Sequence, residues 1–206
     1  MKPQEILHMG IASFGNEEDF FALKGSIEAF GEAFGLQFEM ERAQDVPYLH
    51  PGIAAYILCD GDRIGSFGKL ANEITAELKL HKDSKSHHKI FLGEVDFTKM
   101  MGHLNYAFRY HPIPVFPPVE RDLALTVEEE VTCGDMIREI RKACKAVSDV
   151  ELFDIYRSEQ IGAGKKSMAF KVYLESEDHA LMPEEVDKYI KKVLGNLKYK
   201  LGAELR

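Results

Sequence analysis

The second half of the chain has the clearest alternation of hydrophobic and polar residues. Val119 to Val127 is predicted to form a strand, in which the larger apolar side chains Leu123, Leu125 and Val127 alternate onto the buried face. Thr132 can cap a helix. Hydrophobic residues then recur at helical spacing, at Met136, Ile137, Ile140, Cys144 and Val147.

Two more strands and a second helix follow. The strands are predicted at Leu152–Arg157 and Ser167–Leu174, on either side of a turn with Gly162 and Gly164. Pro183 is predicted to open the helix, and Gly202–Arg206 forms a short last strand. The core positions expected are Met168, Phe170, Val172 and Leu174 on the strand and Val186, Ile190, Val193 and Leu197 on the helix. The order β-α-β-β-α-β predicts a ferredoxin-like fold whose two helices cover one face of the sheet.

The first half predicts a helix on a mostly antiparallel sheet, so the whole chain is expected to be α+β. The helix spans Glu17–Gly35, with Asn16 as its N-cap and Gly35 as its end. Asp60-Gly61 is a strong hairpin signal. The other elements expected are strands at Ile53–Cys59, Arg63–Leu70 and Ile90–Phe97, and a short helix at Thr98–Leu104.

Proline marks the boundary between the two halves. Four of the eight prolines lie between residues 112 and 118. Because proline fixes φ and removes a backbone donor, this segment fits neither a helix nor a sheet interior. The domains expected are therefore one at 1–110, a linker at 111–118 and a ferredoxin-fold domain at 119–206.

Composition and charge narrow the class of protein. The 206 residues carry 26 Lys and Arg against 34 Asp and Glu, a net charge of −8, which argues against indiscriminate nucleic-acid binding but leaves a local site open. The sequence has neither an apolar run long enough for a membrane span nor an apolar signal core, so a cytoplasmic location is expected. The three cysteines lack CxxC spacing.

Other clusters of reactive residues do not predict chemistry. His81, His87 and His88 are expected in a solvated loop, and His50 is expected to stabilise a turn. Cys133 and Cys144 are expected in the core. Glycines 61, 65 and 68 form no phosphate-binding loop and are expected in a hairpin and close strand packing. No catalytic residue and no metal ligand is predicted.

The face of the second sheet without helices carries the candidate chemistry. Its expected members are Asp122, Ala124, Thr126, Asp154, Tyr156, Ser167, Ala169 and Lys171, if Phe153 and Ile155 point into the core. An exposed tyrosine over small residues is a platform on which a nucleobase can stack. A carboxylate such as Asp154 can accept two hydrogen bonds from the Watson–Crick edge of guanine, and Lys165 and Lys166 are placed to reach phosphates. The alternative, that Tyr156 is a half-buried strand residue and Asp154 a solvated charge, remains open from the pattern alone.

Ordered motifs resemble a known family. They are Arg121-Asp122-Leu123-Ala124, Leu152-Phe153-Asp154-Ile155-Tyr156-Arg157, Gly164-Lys165-Lys166-Ser167 and Gly202-Ala203-Glu204-Leu205-Arg206. Together they resemble the C-terminal anticodon-binding domain of bacterial phenylalanyl-tRNA synthetase beta subunits. Upstream, Phe20-Phe21-Ala22-Leu23-Lys24-Gly25, Tyr48-Leu49-His50-Pro51-Gly52 and Ile64-Gly65-Ser66-Phe67-Gly68 resemble the adjoining, catalytically inactive segment of the same subunit. The resemblance implies that residues 1–110 are a non-catalytic segment with an antiparallel fold like the class II synthetase core.

The resemblance implies a role in binding tRNA-Phe. Tyr156 matches the tyrosine on which the first anticodon base stacks, and Asp154 and Ser167 match its polar partners. Arg121, Lys165 and Lys166 are weaker candidates for backbone contacts, with Ala124 and Ala169 as the small residues of the face. The family acts as an α2β2 tetramer in which phenylalanine, ATP and magnesium bind the alpha subunit, so this chain is expected to be non-catalytic alone. The alternatives are a structural scaffold of the tetramer and a free-standing paralogue with little intrinsic RNA binding.

Overall fold

The structure, a computed structural model, describes residues 5–15, 18–80, 89–104, 115–158 and 160–206. The chain divides into two units, residues 1–109 and 110–206. The first unit contains β1 (His8–Gly15), α1 (Phe20–Ala33), β2 (Phe38–Arg42), β3 (Leu49–Cys59), β4 (Asp62–Leu70), α2 (Asn72–Glu77), β5 (Lys89–Asp96) and α3 (Phe97–Met101). The second contains β6 (Val119–Glu128), α4 (Cys133–Ala143), β7 (Val147–Tyr156), β8 (Lys165–Leu174), α5 (Pro183–Leu201) and β9 (Glu204–Leu205).

The first unit is a five-stranded antiparallel sheet in the order β1-β5-β4-β3-β2. Leu23 and Ile27 of α1 and Met100 of α3 pack in one core with the strand residues Ile57 and Phe67. A smaller cluster lies on the opposite side of β3 and contains Ala43, Leu49, Ala54 and Tyr56. The centre of this sheet is therefore buried on both faces.

Several boundaries in the first unit differ from the prediction. Helix α1 begins at Phe20, and its N-cap is Asp19, whose Oδ1 accepts a hydrogen bond from the Ala22 N–H at 2.8 Å. The predicted N-cap, Asn16, lies outside the described residues. Strands β1 and β2 and helix α2 were not predicted. The Asp60-Gly61 hairpin is confirmed, because φ is +50° at Asp60 and +83° at Gly61, as a tight hairpin turn requires.

The second unit is a four-stranded antiparallel sheet in the order β7-β8-β6-β9. Helices α4 and α5 contribute Met136, Ile140, Val193 and Leu197 to its core, and each of these side chains is fully buried. The inward positions predicted on β8 are confirmed, because Met168, Phe170, Val172 and Leu174 are at most 1% exposed. The predicted α+β class with a βαββαβ second unit is confirmed.

The two helices of this unit begin differently. Thr132 and Asp135 form a reciprocal capping box at α4, in which the Thr132 hydroxyl oxygen accepts the Asp135 N–H at 3.1 Å. At α5, Met182 has no polar side chain to cap the helix. There the Glu185 carboxylate accepts the Met182 N–H at 3.0 Å, which is one of the two hydrogen bonds of a capping box. The other, from the Glu185 N–H to a side-chain oxygen at residue 182, is missing.

The first half of the predicted linker, 111–114, lies outside the described residues, and the second half, 115–118, directly precedes β6. The predicted histidine loop at residues 81, 87 and 88 also lies outside the described residues. Among the described helices, none is long and apolar enough to cross a membrane.

Candidate nucleic-acid interface

Strand register brings the predicted residues into two adjacent rows. Tyr156 is the partner of Ser167, which in turn lies opposite Thr126. One row along, Asp154 is the partner of Ala169, which lies opposite Ala124. Partners in an antiparallel sheet share a face, so these side chains occupy the face opposite the core residues Phe170 and Met168. We call this surface the open face.

A β-bulge explains how β7 presents Asp154 and Tyr156 together. The register shifts between Leu152 and Asp154, which leaves Phe153 as the extra residue. The expectation that Phe153 points into the core is wrong, because it is the bulged residue and is 54% exposed. Ile155 lies opposite the core residue Met168, on the helix-covered face as expected, but it remains 42% exposed. Leu152, which lies opposite the buried Phe170, packs against the core instead. The bulge thus resets the alternation just before the two predicted site residues.

Arg206 completes the open face and was not among the predicted residues. Its N–H donates to the Ala124 carbonyl at 2.9 Å, which continues the pairing of β9 with β6. Its guanidinium carbon lies 5.1 Å from the centre of the Tyr156 ring, within cation–π range. Strands β9 and β7 are separated by three strand spacings, about 14 Å. The two side chains must therefore lean towards each other across the small residues Ala124 and Ala169.

This arrangement leaves unequal access to the predicted residues. Tyr156 is 42% exposed, whereas Ser167 is only 3% exposed. Ser167 lies between Tyr156 and Thr126 in the register. A ligand that contacts the Ser167 side chain therefore has to displace a neighbour first, whereas the Tyr156 ring is reached directly.

The structure separates the predicted basic residues. Lys165 lies opposite Glu128 on the open face, and the two side chains form an ion pair at 3.5 Å. Lys166 lies opposite the core residue Val127, is 8% exposed, and donates from Nζ to the Glu129 carbonyl at 2.6 Å. Arg121 lies opposite the core residue Val172. Because side chains alternate along a strand, Lys166 and Arg121 are not brought to the open face.

An ion pair fixes the end of β7 beside Tyr156. The Arg157 guanidinium donates to both carboxylate oxygens of Glu129, at 2.8 Å from Nη2 to Oε1 and 3.2 Å from Nε to Oε2. These hydrogen bonds hold the pKa of Glu129 below its usual value and raise the pKa of Arg157. Lys166 binds the carbonyl of the same Glu129. The turn after β6 is therefore tied to the strands that carry Tyr156 and Ser167.

The open face is acidic as a whole. Its carboxylates outnumber its cations, and Lys165 and Lys171 each pair with a glutamate at 3.5 Å. The carboxylates are Glu120, Asp122, Glu128, Glu151, Asp154 and Glu204, and the cations are Lys165, Lys171 and Arg206. A field of this sign repels phosphates. The chemistry of the face therefore suits the flat surface and N–H donors of a base better than a phosphate backbone.

A cavity lies elsewhere, in the first unit. It measures about 640 Å³, and its lining includes Phe20, Phe21, Ile53 and Phe91. The described residues that line it include no serine, cysteine or histidine. His50 lies near the start of β3 rather than in the expected turn, and its Nδ1 accepts the Gly52 N–H at 3.1 Å.

Family models match both units. Residues 114–206 match a model described as a ferredoxin-fold anticodon binding domain. Residues 1–87 match a model described as a phenylalanyl tRNA synthetase beta chain CLM domain. The two matched regions correspond to the two units of the structure. The anticodon-binding model matches the second unit, whose sheet carries the open face.

Curated relatives extend the match across the chain. The phenylalanine–tRNA ligase beta subunit of Geobacillus kaustophilus is 35% identical over 91% of this chain and 23% of its own length. The corresponding subunits of Clostridium tetani and Fusobacterium nucleatum are 31% and 28% identical over 99% and 98% of this chain. The chain spans about a quarter of the length of these relatives, 25% and 26% of the latter two. With one model matching each unit and these relatives matching nearly all of its residues, the chain belongs to the family of phenylalanyl-tRNA synthetase beta subunits.

Proposed function

We propose that the second unit binds the anticodon of tRNA-Phe and stacks its first base on Tyr156. The observation that carries this proposal is the pairing, on one open face of an anticodon-binding fold, of an exposed tyrosine with a neighbouring carboxylate. Tyr156 and Asp154 flank Ile155 on the bulged end of β7, and small side chains lie beside them at Ala169 and Ala124. The face therefore offers both a stacking surface and the space next to it.

The polar groups favour guanine, which is the first anticodon base of tRNA-Phe. A guanine edge presents two adjacent N–H donors, and the Asp154 carboxylate can accept both. Bases whose edge presents acceptors at those positions would meet a negative charge. Stacking on a tyrosine contributes about 1–3 kcal/mol for any base, so selectivity has to come from Asp154 and its neighbours.

Arg206 has two roles in this proposal. In the absence of RNA, its guanidinium covers part of the Tyr156 ring. When a base stacks on that ring, Arg206 moves aside to contact the phosphate or the open side of the base. Ser167, which is buried beside Tyr156, donates or accepts a hydrogen bond once a neighbouring side chain is displaced. Lys165 is the remaining candidate for a backbone contact, and Arg121 and Lys166 are left out because of the face on which they lie.

The wider setting follows from the relatives, which are named as beta subunits of phenylalanine–tRNA ligase. We propose that this chain contributes tRNA binding to a cytoplasmic α2β2 ligase, with phenylalanine, ATP and magnesium bound by the alpha subunit. The chain itself would position tRNA-Phe and form no aminoacyl-adenylate.

The acidic open face favours a second candidate. If repulsion from its carboxylates exceeds the gain from stacking, the chain serves mainly as a scaffold for the alpha subunit. In that case it would bind the alpha subunit and show no measurable affinity for the anticodon stem-loop.

The test measures binding of the chain to a tRNA-Phe anticodon stem-loop at low salt. Tyr156→Ala removes the stacking surface and is expected to weaken binding by about 5- to 150-fold, the equivalent of about 1–3 kcal/mol. Tyr156→Phe keeps the ring and should stay within a few-fold of the parent. Tyr199→Ala is the matched control, since Tyr199 is 84% exposed on α5, away from the open face.

Equal binding by the Tyr156→Ala and Tyr199→Ala variants would refute stacking on Tyr156. No binding by any variant, together with capture of the alpha subunit, would favour the scaffold function.

A further inference from the structure

The β3–β4 hairpin and the turn after α3 bring together three different metal-ligating groups. The side chains are Cys59, which ends β3, Asp60 in the hairpin turn, and His103, which follows α3. One ligand atom from each lies within 4.8 Å of the other two. Residues 59 and 103 are far apart in the sequence, so the fold rather than local spacing creates this cluster.

The distances are close to those that a tetrahedral ion requires. Bonds of about 2.3 Å to sulfur and about 2.0 Å to nitrogen and oxygen place the ligand atoms about 3.3–3.6 Å apart. The Nδ1 atom of His103 lies 3.4 Å from Oδ2 of Asp60. Since the thiol of Cys59 is within 4.8 Å of both groups, a shift of about 1 Å or slightly more completes the coordination geometry.

The second nitrogen of His103 supplies an independent observation. Its Nε2 faces Oδ2 of Asp62 at 3.3 Å. Histidines that bind a metal through one nitrogen usually donate from the other to a carboxylate, which fixes the ring and its tautomer. Asp60 and Asp62 flank the hairpin glycine, so one turn offers a ligand to Nδ1 and an orienting acceptor to Nε2.

The position of His103 is fixed by its neighbours. Its N–H donates to the Met100 carbonyl at 3.0 Å, and the side chain of Met100 is fully buried. Helix α3 is tied to the strand after the hairpin by Lys99, whose Nζ donates to the Arg63 carbonyl at 2.8 Å. Cys59 is 1% exposed and belongs to the core, so its Sγ approaches from beneath while Asp60 closes the site from the solvent side.

We propose that Cys59, Asp60 and His103 bind a divalent transition-metal ion of the zinc type, with Asp62 orienting His103. A set of one thiolate, one imidazole and one carboxylate suits zinc rather than magnesium or calcium, which prefer oxygen ligands only. Three protein ligands leave a fourth position for water. The site lies in the first unit and is independent of the proposed anticodon contact.

The experiment titrates the whole chain, stripped of metal with a chelator, with Co²⁺ as a spectroscopic substitute for zinc. A thiolate ligand gives a sulfur-to-cobalt charge-transfer band in the near ultraviolet, and a tetrahedral site gives intense visible bands. We expect both, saturating at one ion per chain and displaced by Zn²⁺. Asp62→Asn should keep the charge-transfer band and weaken the affinity 10- to 100-fold, the usual effect of losing such a partner.

Two further variants and a control distinguish loss of metal binding from misfolding. Cys59→Ser should remove the charge-transfer band, but it alters a buried side chain. His103→Gln changes a side chain that is 16% exposed and should abolish tight binding while the circular dichroism spectrum stays that of the parent. Cys133→Ser, at the start of α4 in the other unit, should leave the titration unchanged. A titration without the charge-transfer band, or one that Cys59→Ser and His103→Gln leave intact, would overturn the proposal.

Discussion

The two sheets of this chain are both antiparallel, yet they are covered differently. In the first sheet, the consecutive residues Tyr56 and Ile57 of β3 are buried on opposite faces. In the second sheet, Phe170 of β8 is fully buried, while its neighbour Ala169 lies on the open face. One sheet therefore buries both faces, and the other has its core on one face while residues such as Ala169 and Tyr156 lie on the opposite face.

The difference also appears in how small residues are used. Gly65 and Gly68 in the first sheet permit close approach of neighbouring backbones, because a Cβ at Gly65 would lie 2.1 Å from the Glu94 carbonyl oxygen. Ala124 and Ala169 in the second sheet instead leave a shallow path that the Arg206 side chain crosses towards Tyr156. Small side chains thus serve packing in one unit and access in the other.

The largest expected effect is a difference in stability between substitutions on the two faces of β8. Phe170→Ala should lower the free energy of unfolding of the second unit by about 3–5 kcal/mol, because it leaves a cavity in the core. Ala169→Ser, one residue away, should change it by at most about 0.5 kcal/mol. Urea unfolding followed by circular dichroism measures both. Similar losses in the two variants would show that the open face is structural after all.

The second test concerns the glycines of the first sheet. Gly65→Ala forces a methyl group against the β5 backbone and should cost about 1–3 kcal/mol. Gly25→Ala, in the middle of α1 where nothing lies within 4 Å of the added carbon, should instead stabilise the unit by about 0.5–1 kcal/mol. The same denaturation experiment should give opposite signs for the two variants, and equal signs would contradict close packing at Gly65.

The two helices of the second unit provide a smaller test. Thr132→Ala removes the cap of α4 and should cost about 1 kcal/mol. Met182→Thr gives α5 the hydroxyl that it lacks beside Glu185, and should add a few tenths of a kcal/mol to about 1 kcal/mol. Thermal unfolding should therefore shift downward for the first variant and upward for the second. A Met182→Thr variant without gain would mean that Glu185 already supplies the whole cap.

The smallest effect is a difference in acid sensitivity. Among the described residues, the carboxyls with lowered pKa values are Asp45 in the first unit and Glu129, Asp135 and Glu185 in the second. A lowered folded-state pKa gives stability that is present above the unfolded value, about 4, and is lost as the pH falls through the folded value. The second unit should therefore lose more stability between about pH 5 and pH 3.

Hydrogen exchange read separately for the two units measures this difference. Glu129→Gln should flatten the pH dependence of the second unit, because it removes the carboxylate that binds Arg157. Glu177→Gln, at an exposed carboxyl before α5, is the control and should leave it unchanged. Equal acid sensitivity of the two units would contradict the assignment of these carboxyls.

Much of the fold follows from strong local signals. Pro183 opens α5, Gly202 ends it with φ of +63°, and Asp60-Gly61 closes the hairpin. The weak elements were missed for physical reasons. Strand β2 has five residues, and helix α2 has six and no side-chain cap. In β1, Met9 and Ile11 alternate with the small residues Gly10 and Ala12, which gives little contrast in hydrophobicity.

The candidate site was also only partly predictable from the sequence. Alternation alone placed Asp154, Tyr156, Ser167 and Ala169 on one face, because the register of a hairpin links near neighbours. It could not place the bulge at Phe153, since two adjacent hydrophobic residues fit either face. It also could not find Arg206, whose contact with Tyr156 depends on the order of four strands rather than on any spacing in the sequence.

The most direct test of the account is a double-mutant cycle between Asp154 and the first anticodon base. Binding of the stem-loop is measured for the parent and Asp154→Asn, each with guanine or with inosine, which lacks the amino group that Asp154 would accept from. The account predicts that inosine weakens binding to the parent far more than to Asp154→Asn, with a coupling energy of at least about 0.5 kcal/mol. If the losses of binding free energy from the two single changes sum to the loss from the double change within about 0.3 kcal/mol, recognition of the base by Asp154 on the open face is contradicted.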